Sequence, residues 1–126
     1  MKKVLVAEDD PASRELIREV LDGRGYEVIE ACDGAEALEK IEQLTPDLVL
    51  LDIQMPVLDG YAVLRRVRES PRFAAVPVLA VTAYAMREDR EKVLGAGFNG
   101  YITKPIDPKV LRSDIERFLF GPGHQV

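Results

Sequence analysis

Polar side chains follow four short apolar runs of the sequence. They comprise three adjacent acids, one separate acid, one hydroxyl and one ammonium: Glu8, Asp9, Asp10, Asp52, Thr82 and Lys104. A carboxylate can act as a nucleophile toward phosphorus and form an acyl phosphate, while a lysine and a hydroxyl can hold phosphoryl oxygens. Residue types alone do not say which carboxylate would attack. Position favours Asp52, because it stands alone at its run while the other acids are grouped.

The acids also predict a metal. Several carboxylates in one crevice would repel each other and would each be costly to desolvate, so a divalent cation, Lys104 or both should compensate them. Oxygen ligands without a convergent His or Cys favour Mg²⁺ over zinc, and Mg²⁺ keeps several waters. Simpler interpretations remain open for single residues. Asp9 or Asp10 could cap a helix, Asp52 could be an ordinary loop acid, and Lys104 could be a solvated lysine.

The runs that carry these side chains alternate with helical patterns. Apolar runs predict strands at Val4–Ala7, Tyr26–Ala31, Leu48–Leu51, Val76–Val81 and Gly100–Thr103. Spacing of apolar residues predicts helices at Pro11–Gly23, Asp33–Leu44, Leu58–Ser70, Met86–Ala96 and Asp107–Phe120. Five β-α units predict an α/β fold, a doubly wound five-stranded parallel sheet of flavodoxin-like order 2-1-3-4-5. Ligands bind such sheets at the carboxyl ends of the strands, between strands one and three, where the acids lie.

Composition narrows the functional classes. The chain has 126 residues and a formal net charge of −5, which argues against direct nucleic-acid binding. The basic cluster of Arg65, Arg66 and Arg68 fits a solvated helix face. The single cysteine, Cys32, allows no intramolecular disulfide, and we expect it to be a small buried or half-buried residue in a reducing compartment.

Chain length and the lengths of the apolar runs predict the domain organisation and the location. We expect one domain over residues 1–120 and a flexible tail over residues 121–126. No apolar run approaches the ~20 residues that a membrane span needs, and the N-terminus shows no hydrophobic leader. The sequence therefore predicts a cytoplasmic protein without membrane contact.

Five segments in order resemble the receiver domains of bacterial two-component response regulators. They are Val4-Leu5-Val6-Ala7-Glu8-Asp9-Asp10, Leu50-Leu51-Asp52-Ile53-Gln54-Met55-Pro56, Asp59-Gly60, Ala80-Val81-Thr82-Ala83 and Tyr101-Ile102-Thr103-Lys104-Pro105. The resemblance runs from about residue 3 to residue 119 and is most similar to single-domain, chemotaxis- and cell-cycle-type receivers. It implies a phosphorelay switch, not a metabolic enzyme, that promotes its own phosphorylation and dephosphorylation.

The resemblance also implies a role for each site residue. Asp52 matches the phosphorylated aspartate, and Mg²⁺ is implied at Glu8, Asp9, Asp52 and the backbone carbonyl of Gln54. Thr82 and Lys104 match the hydroxyl and the lysine that contact the phosphate, and Tyr101 matches the aromatic switch residue. The bond from Lys104 to Pro105 is usually cis in the family.

The sequence departs from the family pattern at one metal position and is distinctive at two others. Glu8 replaces the commoner Asp, which should preserve metal binding. Gln54 and Tyr84 occupy the positions that tune phosphate hydrolysis, and the bulk of Tyr84 suggests that it shields the phosphate from water.

Partners implied by the resemblance are a sensor histidine kinase or histidine phosphotransferase as donor and a downstream protein target. We expect the target to bind the face of helix 4, strand 5 and helix 5, including Arg87, Arg90, Val93, Tyr101 and Lys109.

Three other functions fit less well. Haloacid dehalogenase-like phosphatases need an Asp-x-Asp motif after the first strand, and nucleotide or flavin binders need a Gly-rich loop there. A receiver that is never phosphorylated would not need Asp52, Thr82 and Lys104 together.

Overall fold

A computed structural model describes residues 1–83 and 86–121, and in this part strands and helices alternate without exception. The strands are β1 (Lys2–Ala7), β2 (Tyr26–Ala31), β3 (Leu48–Asp52), β4 (Val78–Thr82) and β5 (Gly100–Thr103). The helices are α1 (Pro11–Leu21), α2 (Gly34–Leu44), α3 (Gly60–Glu69), α4 (Arg87–Gly95) and α5 (Pro108–Phe120). The predicted order of elements is confirmed.

The strands form one parallel sheet in the order β2-β1-β3-β4-β5. Its register pairs Ala7 of β1 with Leu51 of β3, and Asp52 of β3 with Val81 of β4. The acids that follow β1 therefore lie beside the end of β3. This arrangement confirms the predicted doubly wound fold and the crevice at the switch point.

Two apolar layers cover the sheet because β1, β3 and β4 are apolar on both faces. Helices α1 and α5 bury their apolar side chains on one face, against Val4, Val6, Leu48 and Leu50. Helices α2, α3 and α4 cover the other face, where Leu5, Val49 and Leu51 lie. The central strands are therefore held on both sides, which gives the side chains at their ends a rigid support.

Four helices begin at an aspartate whose carboxylate accepts a backbone N–H of the first turn, which is a favourable N-cap. The four caps are Asp10, Asp33, Asp59 and Asp107. The cap Asp59 moves the start of α3 from the predicted Leu58 to Gly60. The cap Asp10 confirms the capping interpretation of one acid after β1. Strand β4 begins at Val78 instead of Val76, after Pro77, which has no N–H to donate.

Three side chains differ from expectation. Cys32 is exposed, because β2 is an edge strand and ends one residue earlier. Val93 is buried in the core, so it does not belong to an exposed binding face. Arg68 is not solvated: its guanidinium donates to the carbonyl of Val76 at 2.7 Å and to Asn99 Oδ1 at 2.6 Å. Burial lowers the pKa of Arg68.

Among the described residues, no helix combines the length and apolar character needed to cross a membrane.

Candidate functional site

Three carboxylates converge where β1 and β3 end. Glu8 and Asp9 follow β1 directly, and Asp52 is the last residue of β3. Each offers one oxygen, and the three oxygens lie within 4.8 Å of one another. Glu8 and Asp52 are buried, with 1% and 4% of their surface exposed, whereas Asp9 is exposed to solvent. The site is thus a partly buried acidic crevice that is open on the side of Asp9.

Lys104 supplies the positive charge that faces the buried acids. Its Nζ donates to Glu8 Oε1 and to Asp52 Oδ2, each at 3.0 Å. The same Nζ lies 2.9 Å from Glu8 Oε2, but that oxygen has no hydrogen bond among the described residues. One ammonium therefore contacts two carboxylates. The peptide bond between Lys104 and Pro105 is cis, as the family resemblance implies.

The buried acids are incompletely compensated. Burial, followed by the hydrogen bond with Asp52, raises the pKa of Glu8 from 4.5 to about 7, although Lys104 opposes the shift. For Lys104, burial lowers the pKa, but its hydrogen bonds to Glu8 and Asp52 outweigh burial, and the net shift is upward. Burial is thus the main reason why Glu8 resists ionisation, and contact with the two carboxylates keeps Lys104 protonated.

The loop after β3 is held in place by hydrogen bonds of its backbone. The amide of Gln54 donates to Asp52 Oδ1 at 2.9 Å, and the amide of Gly60 donates to the carbonyl of Ile53 at 2.9 Å. A Cβ on Gly60 would lie 2.7 Å from the carbonyl oxygen of Asp52, so only glycine fits there. The two oxygens of Asp52 are thus oriented by a backbone amide and by Lys104.

A second group of predicted residues lies on the side of β4. Thr82, the last residue of β4, is buried with 2% exposure and lines a cavity of about 250 Å³ together with Ile53, Gln54 and Tyr61. Strand β4 pairs with β5 so that Thr82 aligns with Thr103, and the Lys104 amide donates to the Thr82 carbonyl at 2.8 Å. Thr82 therefore ends the strand next to β3, which ends in Asp52.

Tyr101 is half-buried on the edge strand β5 and packs against the core layer that contains Val93. Its hydroxyl oxygen is buried without a hydrogen bond among the described residues. Burial, followed by the Asp89 carboxylate, raises its pKa. Tyr84, the other predicted aromatic, lies outside the described residues.

A metal fits this site by the chemistry of its donors. Hard carboxylate oxygens are the ligands that Mg²⁺ prefers, and Glu8, Asp9 and Asp52 each offer one such oxygen within 4.8 Å of the others. The exposure of Asp9 leaves access for a hydrated ion. The acidic cluster is therefore able to bind Mg²⁺.

Comparison with known proteins identifies the family. The model for the response regulator receiver domain matches residues 4–116. The chain belongs to this family. Receiver domains are signalling switches of two-component systems, so the family is not one of metabolic enzymes.

Individual relatives cover nearly all of this receiver domain. The polar-differentiation response regulator DivK of Brucella anthropi is 36% identical over 118 residues, which are 94% of this chain and 96% of DivK. An uncharacterized 14.6 kDa protein of Leptolyngbya boryana is 42% identical and matches 94% of this chain and 90% of its own.

A solved structure of a receiver domain shares the fold. It is the receiver domain of a sensor histidine kinase from Pseudomonas aeruginosa PAO1, with 36% identity, a TM-score of 0.86 and coverage of 94% of this chain and 97% of that chain. That receiver was described with a magnesium ion coordinated in its active site cleft.

Sequence reasoning missed residues that support the site from outside. Arg14 of α1 donates to the backbone carbonyl of Glu8 at 2.8 Å. Gly34 of α2 lies so close to the loop between β3 and α3 that a Cβ would lie 2.1 Å from the carbonyl oxygen of Leu58. Neither residue belongs to a recognisable catalytic motif, because each contacts the backbone of a residue outside its own helix and not a side chain of the site.

Proposed function

We propose that this receiver domain accepts a phosphoryl group on Asp52 from a phosphohistidine of a histidine kinase or histidine phosphotransferase, with Mg²⁺ as cofactor. The observation that carries the proposal is the shared contact of Lys104 with two buried carboxylates, Glu8 and Asp52. Burial of Glu8 is costly, since it raises the pKa of this carboxyl to about 7 even with Lys104 beside it, and perturbed carboxyls of this kind cluster at functional sites.

The residues have separate roles in the proposed transfer. An Asp52 oxygen forms the new bond to phosphorus while the bond from phosphorus to the donor histidine nitrogen breaks. Glu8, Asp9, Asp52 and the carbonyl of Gln54 would hold Mg²⁺. When bound, that ion would supply positive charge toward the phosphoryl oxygens. Lys104, already 3.0 Å from Asp52 Oδ2, would hold a phosphoryl oxygen, and the Thr82 hydroxyl would hold another.

The proposed output is a shift of the surface formed by α4, β5 and α5. Phosphorylation replaces the single charge of the Asp52 carboxylate with a phosphoryl group of about −2, which would draw Thr82 toward the phosphate and change the space available to Tyr101. The half-buried position of Tyr101 and its unbonded hydroxyl among the described residues support this role. A downstream protein that prefers one state of this surface would be linked to phosphorylation. Arg87, Arg90 and Lys109 are exposed there.

Three further parts of the proposal concern lifetime, extent and location. Gln54 and Tyr84 would set the rate of acyl phosphate hydrolysis, and an unchanged half-life in Tyr84→Ala would contradict the shielding role of Tyr84.

The folded domain would occupy residues 1–120. A reducing compartment such as the cytoplasm suits the exposed Cys32.

The test is phosphorylation by a small donor. Wild type incubated with Mg²⁺ and acetyl phosphate should gain the mass of one phosphoryl group, and Asp52→Asn should not. Asp59→Asn is the matched control, because Asp59 caps α3 outside the acidic cluster and asparagine is an equally good cap. No mass gain in wild type would refute the proposal, as would a gain in Asp52→Asn equal to that of wild type.

The switch part needs a separate readout. Addition of beryllium fluoride with Mg²⁺ should change amide hydrogen exchange in α4 and β5 of wild type. A change confined to the loop after β3 would contradict the proposed output surface.

A further inference from the structure

Arg14 lies in the second turn of α1 and reaches the peptide that joins two acidic residues of the site. Its Nη1 donates to the carbonyl oxygen of Glu8 at 2.8 Å. Its side chain is only 18% exposed. Arg14 touches neither Asp52 nor Lys104 in any described contact, so it lies behind the site and not in it.

The Glu8 peptide depends on contacts outside the β1–β3 ladder. That ladder ends with the pair Ala7 and Leu51. The Glu8 amide donates to the carbonyl of Ala31 in β2 at 3.0 Å, and the Glu8 carbonyl accepts from Arg14. A charged donor makes a stronger hydrogen bond than a neutral one. The N–H and the C=O of Glu8 are thus both hydrogen-bonded beyond the end of β1.

Asp9 is the residue that this support controls most directly. The Glu8 carbonyl belongs to the peptide group that leads into Asp9, so fixing it fixes the direction in which Asp9 leaves the backbone. Among residues 1–83 and 86–121, no side-chain hydrogen bond or ion pair orients the exposed Asp9 carboxylate. Its place within 4.8 Å of the other acids therefore rests on the backbone.

Glu30 of β2 holds the Arg14 guanidinium in turn. Its Oε1 lies 3.5 Å from Arg14 Nε, while its Oε2 accepts from Arg18 Nη1 at 2.9 Å. Lys40 of α2 donates to the Glu30 carbonyl. Arg18 shares the partner of Arg14, but its side chain is 64% exposed and its described contact is with Glu30, not with Glu8.

We propose that Arg14 is a positioning residue that sets the geometry of the Glu8–Asp9 metal ligands through the Glu8 carbonyl, with Glu30 holding its guanidinium. The inference rests on the proposed function, since it deepens the role of the acidic cluster as a Mg²⁺ site. A purely structural Arg14 would contribute only an ion pair between α1 and β2. Arg18 makes such a pair and serves as the matched control.

The experiment measures Mg²⁺ binding by calorimetry in wild type, Arg14→Met and Arg18→Met. Groups that orient metal ligands typically change metal affinity by about 10-fold or more, so Arg14→Met should raise the Mg²⁺ dissociation constant by about that factor. Arg18→Met should leave it close to the wild-type value. Arg14→Lys keeps one charged donor and should recover part of the affinity.

A second readout separates positioning from general damage. The Mg²⁺ concentration that gives half-maximal phosphorylation by acetyl phosphate should rise in Arg14→Met, while the rate at saturating Mg²⁺ stays near that of wild type. Thermal unfolding without metal should be lowered more in Arg14→Met than in Arg18→Met, because Arg14 is less exposed and also donates to the Glu8 carbonyl, so the Mg²⁺ dependence and not the melting temperature tests positioning. If Arg14→Met does not fold, Glu30→Gln carries the test, because it frees the guanidinium and should weaken Mg²⁺ binding more than Arg18→Met does.

The outcomes distinguish the two proposals. Equal dissociation constants for Arg14→Met and Arg18→Met, with normal binding by wild type, would overturn the role of Arg14 alone. Failure of wild type to bind Mg²⁺ would overturn the proposed function and with it this inference.

Discussion

Glu8 is a buried carboxyl whose titration should be visible in the stability of the metal-free protein. Burial and its hydrogen bond with Asp52 raise its pKa from 4.5 to about 7. A carboxyl with a higher pKa in the folded state binds its proton more tightly there than in the unfolded chain. Its contribution to the free energy of unfolding is therefore complete below pH 4.5 and is lost as the pH rises toward 7.

The size of the effect follows from the shift. Each pKa unit corresponds to about 1.4 kcal/mol, so a rise from 4.5 to about 7 sets a ceiling of ~3 kcal/mol. Between pH 5 and pH 8 the loss should be about 2–3 kcal/mol. Lys104 does not disturb this window. Its pKa is raised above 10.5, so its stabilising contribution is fully present throughout the range and is lost only at much higher pH.

The assay is urea unfolding followed by far-ultraviolet circular dichroism, because the chain contains no tryptophan. Wild type and Glu8→Gln are compared in a chelating buffer at several values between pH 5 and pH 8. The amide of Glu8→Gln does not titrate, so the difference in unfolding free energy between the two proteins should change by about 2–3 kcal/mol. Mg²⁺ should reduce this change, because it favours the ionised carboxylate. A difference that stays constant with pH in the chelating buffer would refute the reasoning.

Three further predictions concern the charge of Lys104, the close approach of Gly34 and the backbone strain at Val57. Lys104→Met should lower the unfolding free energy by about 3 kcal/mol in a chelator, measured by urea unfolding, and Mg²⁺ should restore part of it; equal losses with and without Mg²⁺ would contradict the compensation. Gly34→Ala should lower thermal stability by about 1–3 kcal/mol through overpacking, whereas Gly95→Ala, where a Cβ meets nothing within 4 Å, should raise it by about 0.5–1 kcal/mol. Val57 is 75% exposed with φ 72°, so Val57→Asn should raise the melting temperature by relieving up to about 1 kcal/mol of strain, and a lower melting temperature would contradict this.

The fold could be predicted from the sequence because its signals are local and agree with one another. Buried parallel strands require apolar side chains on both faces, and runs such as Leu48–Leu51 have them. The aspartate caps and the prolines at the first helical position mark where α1 and α5 begin. The handedness of crossovers then leaves few topologies. Strand ends can consequently be aligned, which is why the sequence predicts the acidic crevice.

Surface environments could not be predicted as well, because they depend on neighbours distant in sequence. Arg68 looks like part of a basic cluster, yet carbonyls of the chain after α3 and the loop after α4 surround its guanidinium. Val93 lies in α4, a helix of mostly polar residues, and is its buried residue, because it is on the side that packs on the core. Arg14 is similar, since nothing in its spacing shows that its partner is a backbone carbonyl at the end of β1.

Charge balance links the features of the site. Glu8, Asp9 and Asp52 carry three negative charges when ionised and face one positive charge on Lys104, which leaves about −2 at pH values above the pKa of Glu8. A divalent cation would neutralise this remainder. Phosphorylation would then add a net charge of about −1, because the phosphoryl group carries about −2 but the Asp52 carboxylate loses its own charge. Without a metal, burial and the hydrogen bond with Asp52 favour the protonated form of Glu8 up to about pH 7. Mg²⁺ binding near neutral pH should therefore release a proton from Glu8.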